Sequence, residues 1–194
     1  MSREATDTRQ RILQSAWELL IGVQSSAVRM GDIAKRTGIS RQAVYLHFPT
    51  RVELLIATTR YIDEVKEIDT RLAKSREAVS GLERLEAYVE AWGNYIPEIY
   101  GLARALMALQ AKDEAARAAW SDRMDAVRHG CEAVVRALDN DNRLSKLLDI
   151  ESATDFLWAQ LSVEVWEHLC IRSDWPQAKY VDVMQKTLRA ALID

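Results

Sequence analysis

The chain holds seven glycines, three prolines and two cysteines in 194 residues, and each scarcity removes a class of structure. With so few turn-forming residues, no low-complexity linker and no β-branched runs of period two, a protein built from many short strands is excluded. Cys131 and Cys170 are too few and too far apart for a disulfide framework or a paired-cysteine zinc site. No apolar run approaches the roughly 20 residues of a membrane span, and the polar start (Ser2, Arg3, Glu4, Thr6, Asp7) is unlike a signal peptide. A cytoplasmic protein without a membrane partner is expected. A Gly-x-Ser-x-Gly elbow, a phosphate-cradling glycine loop and a catalytic Cys/His signature are also missing, so neither an enzyme nor a resident cofactor is expected.

What remains is an ordinary globular composition, 48% hydrophobic, long enough to bury a substantial core. The net charge of −3 hides an asymmetry. Through Arg60 there are nine Lys/Arg against five Asp/Glu, a net of +4, and the remainder carries −7. Screening confines charge effects to about 8–10 Å, so a basic head can attract phosphate while the body stays acidic.

Apolar spacing predicts an all-α fold. Ile12, Leu13, Ala16, Trp17, Leu19 and Leu20 mark a first helix after the cap candidates Thr6 and Thr8, ending near Gly22. Two short helices follow, Met30 to Thr37 and Ser40 to His47, separated by Gly38. A longer one from about Arg51 past Leu72 would make a strut of roughly 30 Å. The helix marked by Leu82, Leu85, Val89 and Trp92 should end or kink at Pro97, and another runs from about Lys112 to Leu138 before a polar loop at Asp139 to Asn142. Ser152 to Arg172 and Pro176 to Leu192 are the last two.

The stretch from Met30 to Phe48 carries the function. Ala34 is small enough for two helices to cross closely, and Gly38 can take the left-handed conformation that reverses the backbone within a short turn. Ile33, Ile39 and Val44 fall at inward offsets, and Ser40 is a good cap for a helix exposing Arg41, Gln42, Ala43, Tyr45, Leu46 and His47. Here the chain resembles the TetR family, in the Ile33-Ala34 pair, Gly38-Ile39-Ser40, and above all Val44-Tyr45-Leu46-His47-Phe48-Pro49-Thr50-Arg51. The likeness continues through Glu53-Leu54-Leu55 and returns weakly at Leu161 to Trp166 and Trp175-Pro176. Arg29 departs from it, standing where the family usually places a Ser or Thr cap.

The resemblance implies a helix-turn-helix DNA-binding head, residues 1–50, and a helical regulatory and dimerisation body, residues 51–194. It implies a homodimeric repressor on palindromic operator DNA, released by a small-molecule inducer; the alternative is an activator or constitutive repressor without a ligand. Tyr45, His47 and Arg51 would anchor phosphates, with Thr50 adding an anion site at the next helix, while Arg41, Gln42, Ala43 and Leu46 face base edges. A ligand cavity among the body helices would be lined by Trp92, Tyr95, Tyr100, Met107, Trp120, Met124 and Phe156, whose rings and thioethers suit a lipophilic or aromatic compound. The last two helices carry too many apolar residues for one buried face. Phe156, Leu161, Val165, Trp166 and Leu169 on the first, with Val183, Met184 and Leu188 on the second, are therefore the expected dimer interface. Gln160, Glu164 and His168 recur every four residues on that first helix, but no third ligand accompanies Glu164 and His168, and no metal site is expected.

Overall fold

A computed structural model of the chain describes residues 3–22 and 28–194, with side chains in the first helix from Thr6 onward. Ten α-helices are described: α1 Arg3–Gly22, α2 Met30–Thr37, α3 Arg41–His47, α4 Arg51–Val65, α5 Ile68–Arg76, α6 Gly81–Leu109, α7 Glu114–Asn140, α8 Ile150–Gln160, α9 Val163–Trp166 and α10 Gln177–Leu192. A wider, π-helical turn, Glu167–Arg172, follows α9 directly. No helix among the described residues is long and apolar enough to cross a membrane.

Contacts divide the chain into two units, Met1–Lys66 with Gly101–Met124, and Glu67–Tyr100 with Asp125–Asp194. In the first unit α1 packs on α2 and α4, and α2 on α3. Ile12, Leu13, Ala16 and Leu20 of α1 are buried with Ile33, Val44, Leu54 and Leu55. Each such Leu or Ile contributes about 1.5–3 kcal/mol by leaving water. Thr6 and Thr8 lie inside α1 rather than capping it. Ile39, expected to face inward, is only half-buried.

The predicted strut is two helices. α4 ends at Val65, and Glu67 adopts the left-handed conformation (φ 55°) before α5 begins with the buried Ile68. Neither glycine nor proline marks this break in the sequence. A left-handed residue costs about 1–2 kcal/mol, so the burial gained around it must exceed that.

In the second unit the core forms around Leu85, Val89, Trp92, Tyr95 and Ile96 of α6, Val134 and Leu138 of α7, Leu157 of α8, and Tyr180 and Leu188 of α10. Gly81 opens α6 against the main chain of α7, where a Cβ would stand 2.6 Å from the Leu138 nitrogen. The predicted helix Ser152 to Arg172 is interrupted at Leu161-Ser162. Ser162 starts α9 by accepting the Val165 amide at 3.3 Å, and the buried Trp92 indole donates to the freed Leu161 carbonyl at 2.8 Å. The interruption separates Gln160, on α8, from Glu164 on α9 and His168 in the π-helical turn that continues it, so the three do not lie on one uninterrupted helix. Asp139 and Asn140, expected in a loop, form the last turn of α7.

Pro97 does not end its helix. α6 continues for 29 residues through it, although proline lacks the amide that would pair with the carbonyl four residues back. That carbonyl belongs to Gly93, and Gln177 Nε2 donates to it at 2.9 Å. The same amide nitrogen reaches Asn94 Oδ1 at 3.2 Å, while Gln177 Oε1 accepts the Trp166 indole N–H at 2.9 Å. A glutamine from the start of α10 thus replaces the hydrogen bond that the proline removes.

Gln177→Leu should lower stability by about 1–3 kcal/mol, because it leaves the Gly93 carbonyl and the Trp166 N–H unpaired. In a Pro97→Ala background the loss should shrink, since the restored amide at position 97 takes the Gly93 carbonyl. Denaturant melts of the four proteins test this, and equal losses in both backgrounds would disconnect Gln177 from the proline.

Candidate DNA-binding surface

The geometry of the α2-turn-α3 pair follows from local chemistry. Arg29 Nα donates to the Asp32 carboxylate at 3.2 Å, giving α2 a carboxylate at its positive end without the usual Ser or Thr. At the other end Gly38 is left-handed (φ 76°), and its amide reaches the carbonyls of Ala34 and Lys35. The Thr37 hydroxyl donates back to Ile33 O at 2.7 Å, and the Thr37 carbonyl accepts from Arg11 at 2.8 Å. Ser40 then caps α3, its Oγ accepting the Ala43 amide at 3.0 Å.

Val44 and Phe48 are buried, which rotates the opposite face of α3 outward. Arg41, Gln42, Tyr45 and Leu46 are exposed, and Leu46 keeps 82% of its surface in water. Ala43 and His47 are half-buried at the margins. An apolar side chain so exposed at the centre of a polar face gains nothing from folding; contact with a thymine methyl would use it. Arg41 and Tyr45 are not independent. An Arg41 terminal nitrogen donates to the Tyr45 hydroxyl at 3.2 Å, and the guanidinium lies 5.5 Å from the ring centroid. That hydrogen bond raises the Arg41 pKa above its ordinary value, so the residue stays cationic throughout any working pH. Arg9, which sequence reasoning did not select, stacks over the Phe48 ring at 4.9 Å and adds an exposed cation beside the end of α3. Only the charge asymmetry of the head hinted at it.

Two expected phosphate anchors are otherwise engaged. Thr50 caps α4 by accepting the Glu53 amide at 3.1 Å and donates to the Glu53 carboxylate at 3.0 Å, so an acidic group already sits at the helix end proposed for an anion. Arg51, expected on a phosphate, makes a two-pronged ion pair with Asp113, both bonds being 2.6 Å. The Arg51 guanidinium, aided by the Ala116 and Ala115 amides and opposed by burial, holds the Asp113 carboxyl below the ordinary 3.8. The folded value is depressed, so the pair's contribution is complete above the ordinary value. It is lost only as pH falls through the lower folded one, well below any neutral assay.

The expected ligand-lining residues are distributed over both units. Trp92 and Tyr95 are buried neighbours, ring centroids 5.7 Å apart, and Tyr100 lies on Trp166 at 5.0 Å, all in the second unit with the half-buried Phe156. Met107, Trp120 and Met124 belong to the first unit. Of the expected interface residues, Leu161, Trp166, Met184 and Leu188 are buried within their own protomer. Phe156, Val165, Leu169 and Val183 are half-buried and remain available.

Residues 12–58 match the family described as bacterial regulatory proteins, tetR family. Over nearly the whole chain the similarity is lower. The chain is 24% identical to the nucleoid occlusion factor SlmA of a Marinomonas species over 178 residues, 90% of this chain and 88% of that one. It is 25% identical to the HTH-type transcriptional regulator CymR of Pseudomonas putida over 194 residues, covering 98% and 92% of the two chains. A TetR-family transcriptional regulator from a Rhodococcus species superposes with a TM-score of 0.74 at 18% identity, over 96% of this chain and 99% of that one, which establishes the all-α fold with its N-terminal helix-turn-helix. Through the helix-turn-helix built from α2 and α3, residues 12–58 form a TetR-family DNA-binding head, and the chain as a whole is similar to transcriptional regulators of that family.

Proposed function

We propose that the protein is a homodimeric repressor that reads a palindromic operator with α3 and is released from it by a small-molecule inducer. The observation that carries the reading is the outward face of α3, where a cation, an amide and an apolar side chain stand exposed in adjacent turns. Arginine matches the guanine edge, glutamine the adenine edge and leucine the thymine methyl, while Tyr45 and His47 flank them at the height of the backbone. Because the Tyr45 oxygen accepts from Arg41, its proton stays free for a phosphate, and the two contacts are made together.

Dimerisation is assigned to the half-buried side chains Phe156, Val165, Leu169 and Val183, with the exposed Ile171 beside them in sequence. Heads held by such a dimer would address half-sites about 34–36 Å apart or more. The inducer reading is supported by Tyr180, whose hydroxyl is buried and, among the described residues, has no hydrogen-bond partner. Burial pushes its pKa up from 10.0, with the nearby Cys170 adding to the rise, so it would meet a ligand as a neutral hydroxyl. Trp92 and Tyr95, by contrast, are already packed as core, and Trp92 has spent its N–H on Leu161. That packing favours the ligand-free alternative for that part of the body.

Selection of bound sequences from a random duplex pool, followed by titration at several salt concentrations, tests the DNA reading. Arg41→Ala and Gln42→Ala should each relax one base position of the selected site, roughly ten- to hundredfold. Tyr45→Phe should weaken every sequence and also soften the preference at the Arg41 position. Equal losses on all sequences for all three variants would contradict the assignment. Sedimentation at micromolar concentration should give a dimer, and Val183→Glu should shift it towards monomer without loss of helicity; a wild-type monomer would sink the interface. A metabolite panel screened for release of the selected duplex should yield a compound whose effect Tyr180→Phe weakens while operator affinity holds. No releasing compound would leave the constitutive regulator as the reading.

A further inference from the structure

Arg51 stands three residues after Phe48, at the first position of α4, and its charge is fully used inside the first unit. Nε donates to the Val28 carbonyl at 2.5 Å, and the two terminal nitrogens donate to the two oxygens of Asp113. The side chains keep 23% and 8% of their surface exposed. Asp113 also accepts the amides of Ala115 and Ala116, at 3.1 and 3.3 Å, and so caps α7. The Arg51-Asp113 pair therefore joins three points of the chain: the segment entering α2, the start of α4 and the start of α7.

A two-pronged guanidinium-carboxylate pair fixes rotation as well as distance. Transferring Arg51 to an operator phosphate would strand Asp113 as a buried carboxylate without its cation and leave Val28 O without its donor. Breaking a buried pair costs more than an exposed ionic contact returns. The segment between α3 and α4 is Phe48-Pro49-Thr50, with Phe48 buried, proline restricting φ and Thr50 capping α4. A rotation of the first turn of α4 must then carry α3 with it.

We infer that Arg51 is a positioning residue, its pairing with Asp113 holding the recognition helix in register for DNA, and not a phosphate contact. The inference rests on the DNA-binding reading, but on neither the inducer nor the sign of regulation. It makes Asp113, at the turn between α6 and α7, a determinant of operator affinity although it offers no charge that DNA would accept.

The test uses the full chain and the duplex selected by the wild type, titrated between low and moderate salt. Arg51→Lys is the decisive variant, since lysine serves a phosphate as a point charge but cannot reproduce the fork. Under the inference Arg51→Lys, Arg51→Gln and Asp113→Asn each weaken binding roughly five- to hundredfold, alike on all sequences. Each leaves the slope of log affinity against log salt at its wild-type value, and Arg51→Gln with Asp113→Asn together is no worse than the poorer single variant. Wild-type affinity for Arg51→Lys, tighter binding by Asp113→Asn, or a slope reduced by about 0.9 in Arg51→Gln would each overturn it and return Arg51 to the phosphate. A wild-type chain that binds no duplex at any salt would overturn the DNA-binding reading instead, and this one with it.

Discussion

A buried main-chain carbonyl must have a donor, and at Pro97 and at Leu161 that donor is a side chain from far along the sequence. Gln177 supplies the Gly93 carbonyl that Pro97 cannot, and Trp92 supplies Leu161 where α8 stops. Arg11 reaches the last carbonyl of α2, Arg51 the carbonyl of Val28, Gln185 that of Glu86, and Tyr88 that of Val127. An unpaired buried polar group costs about 1–3 kcal/mol, a large share of the 5–15 kcal/mol that separates folded from unfolded domains. These two irregularities are therefore tolerated because a particular distant residue answers each.

This explains what could and could not be read from the residues. α2, the Gly38 turn and α3 were legible because Gly38, Ser40, Ile33 and Val44 act over three or four positions, within the reach of local propensity. The exposed face of α3 followed from the same spacing. The break at Glu67, the continuation of α6 through Pro97 and the stop at Leu161 were not legible. No local signal marks the first, and the other two depend on Gln177 and Trp92, which lie 84 and 69 positions away in sequence from the residues they complete. The pairing of Arg51 was hidden for the same reason. Its position beside the recognition helix was plain, but its partner, Asp113, is 62 residues distant.

For the proposed reading of α3 the consequence is a division between residues that would touch DNA and residues that hold the helix. The exposed face of α3 is short, and a helix of seven residues has little intrinsic stability. Its precision must come from what lies beneath it: Val44 and Phe48 in the core, Ser40 at one end, and the Asp113-Arg51 pair a few residues beyond the other. The body can diverge in sequence as long as these supports persist, which fits a relationship that is identified through the head while identity over the whole chain stays near one residue in four.

The π-helical turn Glu167–Arg172 has a meaning of another kind. A turn of this sort is what remains when one residue is inserted into an α-helix and the flanking segments stay in place. Each extra residue re-aims its neighbours by about 100°, so Cys170 and Ile171 now occupy directions that an uninterrupted helix would give to other positions. None of the six residues is fully buried, so the widened turn lies at the margin of the core. Removing one residue there would re-aim what the outer side of the turn displays while α9 and α10 keep their places.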